Sequence, residues 1–132
     1  MRVDSLQLTV DRYSSSFFLL PLSILTVPEV NSGAVREKGK QSEIDRIENI
    51  MFDRTEKLLS VAAIHSYKVL ILGAWGCGVF KNNPEDVARY FYHHLVENPQ
   101  LKGFFERIAF AILDNSKNRA IIKPFQAIFD PS

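Results

Sequence analysis

The chain has 132 residues, a length typical of a single folded domain. Apolar residues make up 46% of it and charged residues 23%, which is typical of a globular protein and excludes a disordered or fibrous one. The net charge of +1 argues against electrostatic steering of nucleic acid, and the single Cys77 excludes an internal disulfide and suits a reducing compartment such as the cytoplasm.

An apolar run over residues 17–27, interrupted by Pro21, predicts the first clear strand. Residues 5–10 alternate in the manner of a weaker strand before it. The run is too short to span a bilayer, and acidic residues among the first basic ones argue against a secretory signal. Residues 28–41, which contain glycines and a broken cluster of charges, predict a solvated loop.

A long amphipathic helix is predicted from Ser42 to His65. Ser42, with Asp45 three positions later, has the spacing of a capping box at its start. Apolar side chains then recur at helical spacing and are expected to face the sheet: Ile44, Ile47, Met51, Leu58 and Ala62.

The remaining predicted elements alternate between strand and helix: a buried strand at 68–72, a helix from Asn83 to Glu97, a strand from Ile108 to Leu113 and a helix from Ala120 to Phe129. Pro124 suits only the first turn of a helix, so an alternative start for the last helix lies near Lys123. This alternation predicts an α/β sheet covered on both faces.

The most informative segment is the glycine-rich loop after the strand at 68–72. Three glycines, Gly73, Gly76 and Gly78, lie between this strand and the next helix. Glycine lets a backbone turn sharply and leaves its N–H groups free to donate to an anion. Two interpretations stay open: recognition of a phosphate or nucleotide, and a tight turn with only a structural role.

The loop matches neither of the best-known phosphate-binding motifs. It lacks the Gly-Lys-Ser/Thr end of a Walker A loop, and its order G-x-x-G-x-G differs from the dinucleotide fingerprint G-x-G-x-x-G. Asn83 and Pro84 suit the start of the next helix, where Glu85 and Asp86 would repel a phosphate. An anion is therefore expected at the N–H groups of the loop itself, about Ala74 to Phe80.

Residues 73–84, Gly-Ala-Trp-Gly-Cys-Gly-Val-Phe-x-Asn-x-Pro, resemble the microbial-type poly(ADP-ribose) glycohydrolase domain, a branch of the macrodomain fold. Three other segments, at 26–34, 51–65 and 110–116, also resemble that family. The resemblance runs from about Ile24 to the C-terminus. It implies a macrodomain-like, three-layer α/β/α sheet that is incomplete on its N-terminal side.

In this comparison, residues 1–20 are an unassigned or degenerate segment and residues 21–132 resemble the C-terminal half of the family's domain. The resemblance implies that the glycine loop holds the diphosphate and distal ribose of ADP-ribose or a related nucleotide diphosphate, with the ring of Phe80 against that ribose. It indicates no metal and no cofactor. The implied ligand-binding residues are Gly73, Ala74, Trp75, Gly76, Cys77, Gly78, Val79 and Phe80.

The chain departs from the family at its catalytic signature, a glycine run followed by Gln-Glu-Glu. The sequence contains no Gln-Glu-Glu and no adjacent glycine pair, so no catalytic residue is assigned. We expect recognition of ADP-ribose or poly(ADP-ribose) without activity of the chain alone. The alternative is a non-catalytic interaction or remnant protein. A half-domain would leave apolar surface uncovered, so self-association or a partner that completes the sheet is expected.

Other candidate groups are weaker. His93 and His94 are adjacent on a predicted helix and point about 100° apart, which is poor geometry for one metal ion. Cys77 in the loop is a candidate thiolate, although packing is its simpler role. Glu29 and Glu37 are the acids nearest the loop that follows the first strand, and nothing in their sequence setting marks them as catalytic.

Overall fold

The computed structural model describes residues 22–131. Within them lie five α-helices and two strands: α1 Ser32–Lys38, α2 Gln41–Ile44, α3 Ile47–Ile64, β1 Val69–Leu72, α4 Pro84–Tyr92, β2 Arg107–Phe110 and α5 Ile122–Phe129. A π-helical segment, His93–Glu97, continues α4, and a 3-10 turn, Lys117–Arg119, precedes α5. The predicted strand at 5–10 and the first part of the one at 17–27 lie outside the described residues.

The two strands pair in parallel, with Val69 opposite Arg107 and Leu72 opposite Phe110. Parallel neighbours need a long crossover, and α4 lies in the connection between them. The described residues therefore form a mixed α/β unit around a small parallel sheet, as the alternating pattern predicts. The full three-layer arrangement stays a prediction.

Aromatic side chains from the sheet and the last two helices form the centre of the core. Phe110 on β2 is fully buried, and its ring centroid lies 5.5 Å from that of Phe91, 5.1 Å from that of Phe125 and 4.7 Å from that of Phe129. The helix α4 buries the predicted residues Val87, Ala88 and Phe91 on this side. Phe110 thus joins the sheet to both helices.

The predicted helix from Ser42 to His65 is two helices, because the chain breaks between Ile44 and Ile47. Its predicted sheet-facing side is confirmed: Ile47, Met51 and Ala62 are buried, and Ile44 and Leu58 are half-buried. The capping box predicted at Ser42 is wrong. Instead, the carboxylate of Glu43 accepts a hydrogen bond from the N–H of Lys40, at 2.7 Å, so the N-cap of α2 is Lys40, two residues before Ser42.

The loop predicted at 28–41 is also wrong in part, because α1 lies within it. The side chain of Asn31 accepts a hydrogen bond from the N–H of Ala34, at 3.0 Å, and so caps this helix of seven residues. A helix this short shows little amphipathic pattern in its sequence. Its N-cap residue is an asparagine, which is equally typical of a turn.

The structure corrects two predictions about strands. Residues 22–27, the described part of the strand predicted at 17–27, form no strand, and Ile24 is 85% exposed. The strand at 68–72 is not buried on both faces: Leu72 faces the core, whereas Ile71 is 65% exposed. Within residues 22–131 β1 pairs only with β2, so residues 22–27 add no strand to this sheet.

The last helix starts at Ile122, close to the alternative start near Lys123, and Pro124 lies in its first turn. The carboxylate of Asp114 accepts hydrogen bonds from the N–H groups of Ile121 and Ile122, at 2.8 Å each, and from Ser116. These hydrogen bonds, first of all the one from Ser116, stabilise the charged carboxylate and lower the pKa of Asp114 to about 2.

None of the helices in the described residues is long and apolar enough to cross a membrane.

His94 is a buried polar side chain in the π-helical segment. Its Nε2 lies 3.1 Å from the carbonyl oxygen of Phe52, which can only accept, so Nε2 carries the hydrogen. Nδ1 is then an acceptor that is buried without a donor among residues 22–131. Burial lowers the pKa of His94.

We expect the free energy of unfolding to decrease as the pH is lowered from about 7.5 to about 5.5. Burial in the folded state disfavours the charged form of His94 and lowers its pKa, whereas a histidine in the unfolded chain takes up a proton near its ordinary pKa of about 6.5. The unfolded state therefore gains protons first, and stability is lost below that pH. Urea denaturation across this range should show a shallower dependence for His94→Gln, whereas the exposed His65→Gln should keep the slope. Equal slopes in wild type and His94→Gln would contradict this role.

Candidate functional site

A cavity of ≈ 390 Å³ lies at the carboxyl end of β1. Segment 25–29 forms one wall and Gly73–Gly76 another, with Leu58 and Phe91 among the apolar side chains that complete it. Open α/β sheets bind ligands at the carboxyl ends of their strands, and the cavity has the size of small ligand sites, roughly 300–1,000 Å³. It is therefore the best candidate site in the described residues.

Most N–H groups of the glycine loop have no protein acceptor. Within residues 22–131, the N–H of Cys77 donates to the carbonyl oxygen of Ala74 at 3.1 Å, whereas those of Ala74–Gly76 and Gly78–Phe80 have no acceptor. Successive N–H groups of this kind can hold an anion. Contact of an anion with the loop rather than with the N-terminus of α4 stays a prediction.

Asn82, which is buried, fixes the shape of this loop. Its Nδ2 donates to the carbonyl oxygens of Val30, at 2.8 Å, and Gly76, at 3.1 Å, and its Oδ1 accepts a hydrogen bond from the hydroxyl of Ser32. The backbone N–H of Asn82 also donates to Gly76, at 3.0 Å. One amide therefore joins the glycine loop to the segment that leads into α1.

The role of Asn82 does not follow from the sequence alone. One sequence signal points to it: Asn82 is the asparagine in the motif at 73–84 that resembles the glycohydrolase family. The bonds of its side chain reach Val30 and Ser32, which are far away in the sequence, and no local pattern shows such a partner.

The glycines of the loop have different roles. Gly76 has φ +71°, and a Cβ there would collide with Nδ2 of Asn82 and lie 3.1 Å from Cγ of Glu29. Gly76 is therefore required by the fold itself. A Cβ at Gly78 would have no heavy atom within 4 Å, so the structure leaves open space there.

Trp75 and Cys77 have packing roles in the described structure. Nε1 of Trp75 donates to the carbonyl oxygen of Val27, at 3.2 Å, and the residue forms part of the cavity wall. Burial raises the pKa of the Cys77 thiol to about 12, and its Sγ lies 3.7 Å from the carbonyl oxygen of Trp75. The thiolate alternative for Cys77 is therefore wrong, because burial disfavours the charged form.

The predicted binding residues divide between two places. Gly73, Ala74, Trp75 and Gly76 line the cavity, whereas Cys77, Gly78, Val79 and Phe80 lie beyond its walls. The carbonyl oxygen of Phe80 accepts a hydrogen bond from the N–H of Gly33, at 3.0 Å, which fixes the end of the loop to α1. Contact between the Phe80 ring and a ribose stays a prediction.

Glu29 lines the cavity, whereas Glu37 is exposed on α1. In residues 22–131, no group of three histidine, cysteine, aspartate or glutamate side chains lies close enough to hold a metal ion. The carboxylate of Glu29 is therefore the acidic group that the structure brings to the loop.

No protein-family model and no curated protein matches the chain. Solved structures do match. Poly(ADP-ribose) glycohydrolase from Deinococcus radiodurans in complex with ADP-ribose is 34% identical, with a TM-score of 0.72, over 79% of this chain and 40% of that one. The same enzyme in its apo form is 35% identical, with a TM-score of 0.69. Poly(ADP-ribose) glycohydrolase from Thermomonospora curvata, bound to the inhibitor ADP-HPD, is 31% identical, with a TM-score of 0.67, over 75% of this chain and 36% of that one.

These matches identify the chain as a poly(ADP-ribose) glycohydrolase-like domain, as the resemblance of residues 73–84 predicts. The chain spans about two fifths of the length of the structures that it matches, with 40% of the Deinococcus protein covered. The likeness covers the mixed helix and strand arrangement around the small parallel sheet.

We expect Gly76→Ala to destabilise the protein and Gly78→Ala to have little effect. The left-handed backbone at Gly76 costs a non-glycine residue about 1–2 kcal/mol, and the collision with Asn82 adds to that cost. Exposed substitutions such as Gly78→Ala usually change the free energy of unfolding by less than about 0.5 kcal/mol. Chemical denaturation of both variants measures the difference. Equal stabilities would show that Asn82 does not hold the loop in the described position.

Proposed function

We propose that this poly(ADP-ribose) glycohydrolase-like domain recognises ADP-ribose, or an ADP-ribose unit of poly(ADP-ribose), at its glycine loop. The observation that carries the proposal is the set of N–H groups at Ala74–Gly76 and Gly78–Phe80, beside the cavity, that have no acceptor among residues 22–131. The oxygens of a diphosphate are acceptors and negatively charged, so they suit the donors of Gly78–Phe80. Similar solved structures hold ADP-ribose or ADP-HPD, which supports this ligand class.

We also propose that the chain does not cleave poly(ADP-ribose) by itself. Cleavage of a glycosidic bond generally needs an acid positioned at the leaving group. The family's Gln-Glu-Glu signature is absent from this sequence, and Glu29 is the carboxylate in the described cavity wall. We therefore expect one of two behaviours. The chain recognises its ligand without hydrolysis, or it hydrolyses the ligand only with a partner that supplies the acid.

A non-catalytic interaction protein, with a loop that has only a structural role, is the second candidate. Three contacts favour it: Gly76 is fixed by Asn82, Trp75 donates to Val27, and Phe80 accepts from Gly33. These contacts explain the rigid shape of the loop without a ligand. They do not explain the row of N–H groups that it leaves without acceptors, and for this reason the ADP-ribose proposal is preferred.

Calorimetric titration is expected to show binding of ADP-ribose to the wild-type protein and a loss of at least about tenfold in affinity for Gly78→Val. The valine side chain would fill the open space beside the donors of Gly78–Phe80 and keep a phosphate away from them. Ala127→Val, at an exposed position on α5, is the matched control for added volume. Equal affinity in all three proteins would place the ligand elsewhere.

The purified chain is expected to release no ADP-ribose from poly(ADP-ribose). A poly(ADP-ribose) glycohydrolase that contains the Gln-Glu-Glu signature serves as the positive control, with product measured by chromatography. Release by the wild-type chain, together with its loss in Glu29→Gln, would contradict the proposal and identify Glu29 as the missing acid.

A further inference from the structure

Glu29 is held against the glycine loop by its aliphatic stem. Its Cβ and Cγ lie 3.2 Å and 3.1 Å from the position that a Cβ would take at Gly76, so the stem packs on the open face of that glycine. Nδ2 of Asn82 lies beside the same position and donates to the carbonyl oxygen of Gly76. Glu29 is half-buried and forms part of the cavity wall.

The carboxylate of Glu29 accepts no hydrogen bond and forms no ion pair with any residue of 22–131. An ionised carboxylate has two acceptor oxygens and no donor, so it suits a ligand group that donates. The neighbouring hydroxyls of a ribose supply two such donors, and acidic residues accept from ribose in other nucleotide sites. A phosphate at this place would be repelled.

Positive charge lies at the exit of the loop, where Lys81 follows Phe80 in the sequence. The side chain of Lys81 packs on Gly33, with Cδ 3.1 Å from the position of a Cβ there, and Nη1 of Arg36 lies 3.4 Å from the carbonyl oxygen of Lys81. Lys81 follows directly on Gly78–Phe80, and Arg36 of α1 contacts it through its carbonyl oxygen. The loop thus has a carboxylate beside Gly76 and two cations beside its exit.

We propose that Glu29 is a specificity residue that accepts hydrogen bonds from the hydroxyls of the sugar beyond the diphosphate, and that Lys81 and Arg36 draw the diphosphate to the exit of the loop. This inference depends on the proposed function, since it assumes that the ligand lies along the loop. The carboxylate then selects a diphosphate whose terminal phosphate carries a sugar. A free terminal phosphate, as in ADP, meets the negative charge of Glu29 instead.

The test compares ADP-ribose with ADP by calorimetric titration of four proteins: wild type, Glu29→Gln, Lys81→Met and Glu37→Gln. The amide of Glu29→Gln keeps the shape of the side chain and removes its charge. We expect it to weaken ADP-ribose binding about 5- to 20-fold and to leave ADP binding unchanged or tighter. Lys81→Met should weaken both ligands, because both contain the diphosphate. Glu37→Gln, an exposed carboxylate on α1, should change neither.

The outcomes separate this inference from the proposed function. If wild type binds neither ligand, both are wrong. If wild type binds ADP-ribose and Glu29→Gln binds it equally well, or loses both ligands to the same degree, only the assignment of Glu29 is wrong. If Lys81→Met binds ADP-ribose and ADP with wild-type affinity, the proposal that the diphosphate lies at the exit of the loop is wrong. Glu29→Asp, which keeps the charge on a shorter stem, gives a second measure if the glutamine variant melts at a lower temperature, and it should also lose part of the preference for ADP-ribose.

Discussion

The hydrogen bonds of the Asn82 side chain are the constraint on which the candidate site depends. One buried amide satisfies the carbonyl oxygens of Val30 and Gly76 and the hydroxyl of Ser32. A buried polar group that loses its partner costs about 1–3 kcal/mol, so removal of this amide would leave several groups unsatisfied at once. Because the amide occupies the space beside Gly76, it also forces that residue to be glycine. The loop presents its N–H groups in one arrangement for this reason.

The proposed function separates binding from catalysis in this domain. The N–H donors that have no acceptor among residues 22–131 belong to the loop. The cavity is lined by the loop and by segment 25–29. The acid that cleaves a glycosidic bond belongs to a different signature, which this sequence lacks. A chain can therefore retain the geometry that selects a diphosphate sugar while its hydrolytic function depends on another source of acid.

Local patterns predicted the parts of the fold that local forces determine. The amphipathic face of α3, the helix α4 with its Asn83 cap, and the strands β1 and β2 follow from spacing of apolar residues and from capping residues. The sequence did not predict α1, because seven residues with a few charges resemble a loop. The exposure of Ile71 and the role of Asn82 also escaped prediction. Both depend on which segments meet in space, and periodicity within one element contains no such information.

The bond between Asn82 and Val30 joins residues that are 52 positions apart. Closing a chain segment of that length costs entropy before any contact compensates for it, and contacts between distant residues slow folding for this reason. Helices α3 and α4 and their local turns can form early, whereas the glycine loop reaches its final shape only when segment 28–33 arrives. The arrangement of N–H groups that we propose as an anion site is therefore a late product of folding. A chain that has formed its helices and collapsed, but has not closed this contact, would contain most of its secondary structure and no organised place for a phosphate.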